Sequence, residues 1–518
     1  MRRVGVWAPV VVAVLVVVVL FVPDDEDDVG VAGGTGRDTD QLDGDSTTDD
    51  TPTDDGRTDD GRADDSDIGS FTVGDCPVDP GPTDLTVTCG TFVVPARRDA
   101  PAAGTFELAV AVLQARDPSG PADPVLYLTG GPGAPAIAEL PAWTTDDLLD
   151  TRDVILLDQR GTGASRPSLS CPEEDDTDDF VAAHEACRDR IEAAGIDLAS
   201  LRTAETAADV AELRVALGYD SWNLWGSSYG TRVALTVLRD APAGIRSVVL
   251  EGVYPHQVDA YADTASGDRA AIEHLFDTCA VDVACPASDV SLAAFLATVD
   301  DFEDAPVTLD DGLTYDGTDL IDAVLAGLSD SSTIAAVPDF IAEVVAGGTS
   351  SLDDVVDRLG RTRSDAVDED STPVFYVIEC AEELALSPLA DIDPDDAWDV
   401  LDIDADDTIG FHSGFTVAQM VGLCAVWDTG AAPAIEDAAV TSDVPALLLA
   451  GTFDRQTPPF WAAEAARRLS NGTLIELPHL GHDTIDIDPC TRGVFESFID
   501  DPTVPVDASC AVGLAPAY

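Results

Sequence analysis

Three regimes of hydrophobic patterning follow one another along the chain. Residues 4–22 are almost wholly apolar (VGVWAPVVVAVLVVVVLFV) with no strand or helix period. Residues 24–70 are almost wholly polar, and from residue 71 short apolar runs alternate with longer segments of helical spacing. In this third regime, extended patterns at 85–94 and 106–114 predict an antiparallel start. The runs VLYLT at 125–129 and DVILLD at 153–158 read as buried parallel strands, because a strand covered on both faces needs no polar alternation. Apolar spacing over 203–217 predicts a helix, WNLW at 222–225 the next strand, 229–239 the next helix and SVVLEG at 247–252 another strand. From about 256 to 440 the strand rhythm stops and helical segments such as 320–327 and 337–346 take over. PALLLAG at 445–451, a helix near 460–469, TLIELP at 473–478 and a last helix near 490–499 restore it. Alternating strands and helices predict a mostly parallel α/β sheet interrupted by a helical insertion. The expected organisation is a leader over 1–23, an acidic disordered linker over 24–70, a first core part over 71–255, a helical cap over 256–440 and a second core part over 441–518.

Charge sharpens this picture. The chain carries 99 Asp+Glu against 26 Lys+Arg, a net charge of -73; every basic residue is arginine, and glutamates number 21, so aspartates number 99 − 21 = 78. Residues 24–70 hold 18 acids and three arginines, hence -15, and the remaining -58 lies elsewhere in the chain. Such a polyanion gains nothing from counterion release at phosphates, which excludes an unaided nucleic-acid binder. With 45% hydrophobic residues the chain still has ample material for a large core. An Asp-rich, lysine-free surface is similar to that of proteins from salt-adapted organisms, where salt screens the self-repulsion. A bias toward Ala, Gly, Val, Asp and Arg would skew composition the same way.

Met1-Arg2-Arg3 ahead of the apolar run has the form of an export signal. No small-x-small site follows it, and about 19 apolar residues just span a bilayer, so a cleaved signal peptide and a retained membrane anchor both remain open. Either places the rest of the chain outside, secreted or held at the outer face of the membrane. The ten cysteines agree with an oxidising address. They fall as neighbouring couples rather than CxxC clusters, which disfavours zinc, and the simplest connectivity is sequential: Cys76 with Cys89, Cys171 with Cys187, Cys279 with Cys285, Cys380 with Cys424 and Cys490 with Cys510. Crossed pairings are not excluded by sequence.

The chemistry begins at Gly226-Ser227-Ser228-Tyr229-Gly230, a G-x-S-x-G between a predicted strand and a predicted helix. Glycines suit a tight turn that exposes the serine hydroxyl, and the hydroxyl needs a base oriented by a carboxylate. Asp454 follows PALLLAG, and His482 follows TLIELP. The order Ser, Asp, His, each just beyond a strand, is that of an α/β-hydrolase. His479, three residues before His482, is the rival base. Thr129-Gly130-Gly131-Pro132-Gly133 exposes bare backbone after a strand; with Gly131 and the amide of Tyr229 it would form an oxyanion hole.

GGPG after a strand, then Asp158-Gln159-Arg160-Gly161-Thr162-Gly163-Ala164-Ser165, then the G-x-S-x-G resemble the proline iminopeptidase and tripeptidyl aminopeptidase group of α/β-hydrolases. The C-terminal stretch, LLLAGTFDRQTPP through LGHDT to the Cys490 and Cys510 tail, resembles secreted tripeptidyl aminopeptidases. The resemblance covers roughly residues 75–515. One departure is Thr129, where relatives usually carry histidine. The resemblance implies a serine exopeptidase acting on peptide substrates with free N-termini, without metal or organic cofactor. It also implies that Glu379 of the Ile378-Glu379 pair, and Glu382 two residues after Cys380, bind the substrate amine. Two alternatives stand beside it: an esterase or lipase-like hydrolase on the same triad, and a catalytically silent surface-binding module on the same scaffold.

Overall fold

The apolar runs form strands because both of their faces are covered. In the computed structural model, which describes residues 68–176, 179–308, 314–348, 371–390, 392, 408–485 and 487–514, Leu448 and Ala450 of one strand join a core on one side of the sheet, while Leu447 and Leu449 join a second core on the other. The predicted leader over 1–23 and nearly all of the acidic linker over 24–70 lie outside the described residues. Among the described residues no helix is long and apolar enough to cross a membrane.

The main strands are β1 (Phe71–Gly74), β2 (Val87–Pro95), β3 (Thr105–Leu113), β4 (Val125–Leu128), β5 (Val154–Leu157), β6 (Trp222–Ser227) and β7 (Ile245–Glu251). A two-stranded ribbon of β8 (Val307–Thr308) and β9 (Thr314–Tyr315) stands apart, and β10 (Ala446–Gly451) and β11 (Gly472–Leu477) complete the series. The described strands build a nine-stranded sheet ordered β1-β2-β3-β5-β4-β6-β7-β10-β11. Pairing is antiparallel from β1 through β3 to β5 and parallel from there to β11. The antiparallel start and the mostly parallel sheet therefore agree with the sequence pattern. Local pattern does not show that β5 lies between β3 and β4.

The helices of the first part are α1 (Leu140–Trp143), α2 (Phe180–Ala193), α3 (Thr203–Leu217) and α4 (Tyr229–Asp240). Between β7 and β10 the described chain is helical apart from the small ribbon: α5 (Ala260–Val281), α6 (Leu292–Asp304), α7 (Gly317–Ser329), α8 (Val337–Val345), α9 (Thr372–Ile378) and α10 (Thr408–Val426). Then α11 (Pro459–Ala466) and α12 (Pro489–Asp500) flank β11. Much of the inserted segment has its own core, in which Ile272, Phe295, Val324 and Phe340 pack together with Phe453 from the loop after β10. That phenylalanine precedes Asp454, so the same packing that seats the insertion also seats the candidate acid.

All ten cysteines are paired sequentially, with Cα separations from 4.9 to 5.8 Å. The Cys380–Cys424 bond fastens the turn after α9 to α10.

Candidate active site

Ser228 sits where β6 ends and α4 begins, with φ 54 and ψ -125, a conformation that costs a non-glycine residue energy and is held there by its surroundings. Two of these holds are visible. The Ser228 amide donates to the Glu251 carbonyl at 2.8 Å, and a Cβ at Gly230 would collide with the Leu128 carbonyl oxygen, so only glycine lets α4 start this close to β4. Tyr229 is the first residue of α4, where a backbone amide has no partner inside the helix and is free for an anion.

The GGPG loop lies directly against this serine. A Cβ at Gly130 would stand 2.7 Å from Ser228 Cβ and 3.3 Å from its Oγ. The DQRGTGAS run explains why the loop stays there. Gln159 Nε2 donates to the Thr129 carbonyl at 3.0 Å. The Asp158 carboxylate accepts from the Ile137 and Ala164 amides at 2.8 and 2.7 Å. Arg160, fully buried, holds Asp209 of α3 by two bonds of 2.8 and 2.7 Å. The motif is thus a brace for the Gly-rich loop rather than a reacting group.

Asp454 and His482 meet at 2.8 Å, Oδ2 against Nδ1. The carboxylate is 2% exposed, and its other oxygen accepts from the Gln456 and Thr457 amides at 2.9 and 3.0 Å. Thr457 Oγ1 donates to Oδ2 at 2.6 Å and lies 3.2 Å from His482 Nδ1. The histidine loop is fixed from the insertion side: the His482 amide donates to the Ser329 carbonyl at the end of α7, at 2.7 Å. The ring lies beside β7, since a Cβ at Gly252 would be 2.8 Å from His482 Cε1. Burial disfavours the imidazolium, but the hydrogen-bonded Asp454 carboxylate, helped by Asp483 and Glu251, outweighs it and holds the pKa up at about 9. Among the described residues no hydrogen bond joins Ser228 Oγ to His482, and apo sites commonly tighten that bond only around substrate. The rival His479 touches Phe453 at a ring separation of 6.1 Å and is pushed below the usual imidazole pKa by burial.

Glu379 and Glu382 lie in a π-helical turn, Glu379–Glu383, that continues α9 over α4. A widened turn of this kind redirects side chains and often marks a functional site. Glu379, Glu382 and Glu383 are all buried, and all surround one fully buried cation, Arg232, one helical turn beyond Ser228. Arg232 pairs closely with Glu383 and stands 3.6 Å from Glu382. Glu382 is also committed elsewhere, accepting from Thr203 N at 2.7 Å and Oγ1 at 2.6 Å; that Thr203 hydroxyl in turn meets Tyr229 Oη at 2.8 Å. Glu379 is bonded by tyrosines, Tyr261 Oη at 2.9 Å and Tyr254 Oη at 3.3 Å. The Tyr254 amide reaches Thr231 Oγ1, which donates to the Ser228 carbonyl at 2.6 Å. Burial raises all three carboxyl groups above their usual range, Glu383 to about 8.

Sequence reasoning missed Arg232, Thr203, Thr457 and Glu251. Two of these left a trace in the sequence: Arg232 is the lone charge in the apolar stretch of α4, and Glu251 is a glutamate ending an apolar strand in a chain that prefers aspartate. As for metal ligands, Cys171 with Glu174 and His184, or with Glu173 and Cys187, approach ligand spacing, but both cysteines spend their sulfur on a disulfide.

The profile describing the alpha/beta hydrolase fold matches residues 123–489. The chain belongs to the α/β-hydrolase family. Over 467 residues it is 26% identical to the serine protease Hip1 of Mycobacterium tuberculosis, covering 82% of this chain and 87% of that one. Over 131 residues it is 29% identical to the proline iminopeptidase of Neisseria meningitidis, covering 25% of this chain and 33% of the other. A crystal structure of proline iminopeptidase from Mycobacterium smegmatis aligns over 80% of this chain and 98% of that one, at 16% identity and a TM-score of 0.39. The chain is therefore an α/β-hydrolase with serine-peptidase relatives.

Proposed function

We propose that this α/β-hydrolase is an exported serine aminopeptidase that cleaves peptides near a free N-terminus, of the tripeptidyl or prolyl type. In this reading Ser228 Oγ attacks the scissile carbonyl while His482 Nε2 takes its proton, and Asp454 holds the Nδ1–H and supports the imidazolium. The amides of Gly131 and Tyr229 receive the oxyanion. The same proton then goes to the departing amine, leaving an acyl-enzyme that water opens by the reverse sequence. The fully paired cysteines support an oxidising destination outside the cell.

The observation that carries the aminopeptidase reading is the charge imbalance around Arg232. Three buried carboxyl groups face one guanidinium, so acids outnumber cations in this cluster, and burial pushes all three carboxyl pKa values up. A substrate ammonium would be a second cation for these acids, and in a dry pocket it needs carboxylates to offset its own desolvation. Glu379 is the contact, because its partners are neutral hydroxyls; Glu382 contributes charge while holding Thr203. Glu379→Gln is expected to raise KM for an N-free peptide amide by about tenfold or more, equivalent to about 1.4 kcal/mol, and to leave a simple ester lacking an amine unchanged. Steady-state kinetics on the two substrates checks this, and an equal response from both would put the amine site elsewhere.

A further inference from the structure

The carboxylate of Glu251 is buried deep behind the candidate base, and nothing in the triad scheme employs it. Glu251 is the last residue of β7 and is 5% exposed. Its Oε1 accepts from Thr484 N at 2.7 Å, Thr484 Oγ1 at 2.9 Å and Ile485 N at 2.7 Å. Its Oε2 accepts from Trp225 Nε1 at 3.0 Å. Thr484 and Ile485 are the second and third residues after His482, so this one side chain ties the histidine loop to β6, the strand that delivers Ser228. Its backbone does the same from the other side, since the Glu251 carbonyl accepts the Ser228 amide.

All four donors are N–H or O–H groups. A neutral carboxylic acid would need an acceptor for its own proton, and the partner of Oε2 is itself a donor. The arrangement therefore suits the anion, although burial, with Asp483 beside it, pushes the other way and raises the pKa. The charged groups facing His482 are then Asp454 from the loop after β10, Asp483 on the histidine's own loop and Glu251 from β7, all three of which favour the imidazolium.

We infer that Glu251 is a positioning residue for catalysis: its buried carboxylate locks the His482 loop against the nucleophile strand and adds a further negative charge behind the imidazole. This rests on His482 being the base. Holding the loop matters because the acyl transfer tolerates little displacement of base from nucleophile; about 1 Å can cost on the order of 10²-fold. The charge matters because it stabilises the imidazolium formed as Ser228 attacks, so its loss lowers the pKa of His482.

The two contributions separate in three variants assayed on an N-free peptide chromogenic amide, with thermal melts alongside. Glu251→Gln removes the charge and leaves Trp225 Nε1–H facing an amide. It is expected to lower kcat by about 10- to 100-fold with KM within about twofold, and to move the acid limb of the kcat/KM profile to lower pH by about half a unit or more. Glu251→Asp and Trp225→Phe keep the charge but loosen the tie, so kcat falls while the acid limb stays in place. If Glu251→Gln does not fold, a drop in kcat at constant KM in both other variants carries the inference. It is overturned by wild-type kcat and an unmoved acid limb in Glu251→Gln, by a KM effect as large as the kcat effect, or by wild-type kcat in the two charge-keeping variants. His482→Ala run in parallel distinguishes the failures: full activity there removes the triad reading, whereas loss there with an unaffected Glu251→Gln removes only this inference.

Discussion

Replacing Ser228 with alanine is expected to lower kcat by on the order of 10⁶-fold, because one nucleophile carries the covalent step and triad members act as a unit. Folding should be nearly unaffected. Alanine keeps the Cβ against which Gly130 packs, and it tolerates the φ of 54 no worse than serine does. Among the described residues the Ser228 hydroxyl holds no hydrogen bond, so its removal orphans no partner. Turnover of an N-free peptide amide together with a thermal melt gives both readouts. A variant that keeps more than about a thousandth of wild-type kcat would move the nucleophile elsewhere.

Asp454→Asn is expected to cost about 10⁴-fold in kcat with KM little changed. The reason lies in which way the amide must turn. One oxygen of Asp454 already accepts two backbone amides, from Gln456 and Thr457, and that position admits only an oxygen. The asparagine NH₂ must then face His482 Nδ1 and the Thr457 hydroxyl, where an oxygen now accepts. An imidazole offered a donor at Nδ1 accepts there and carries its proton on Nε2, the atom that should take the proton from Ser228. The effect is therefore a wrong tautomer rather than a lost fold, and a loss smaller than about tenfold would show that Asp454 does not orient the base.

The candidate residues legible in the sequence are those whose signal is local. Ser228, Asp454 and His482 each follow an apolar run that ends in a loop, and the runs correspond to β6, β10 and β11 within one or two residues at either end. The cysteine couples were legible for the same reason, their partners being close neighbours in the chain. Residues that act through distant contacts were not. Thr203 is held by Glu382 across 179 positions, and Glu251 reaches Thr484 across 233; no periodicity encodes such pairs, and Glu382 itself stood out only through the resemblance. Helix α2 escaped because its burial is uneven, with Phe180 and Val181 exposed at one end and only Ala183, His184, Cys187 and Ile191 buried. Strand β1 escaped because four residues, three of them exposed, present no pattern. The DQRGTGAS run stood out only as a resemblance until its contacts showed what it braces: Gln159 on the Gly-rich loop, Asp158 on Ile137 and Ala164, and Arg160 on α3.

Thr129 stands where the resemblance leads one to expect histidine. Its carbonyl is the group that Gln159 holds, and a backbone carbonyl is available whatever the side chain.

The central claim, hydrolysis of peptide bonds by recognition of a free N-terminus, is tested most directly by matched chromogenic substrates. These are prolyl and tripeptidyl amides with a free amine, the same compounds N-acylated, and short-chain esters, each assayed with wild type and with Ser228→Ala as background. The free-amine amides are expected to turn over with a kcat/KM at least about tenfold above their acylated forms, since acylation removes the cation offered to the Glu379 carboxyl group. Faster turnover of the acylated amides, or turnover confined to the esters, would contradict it.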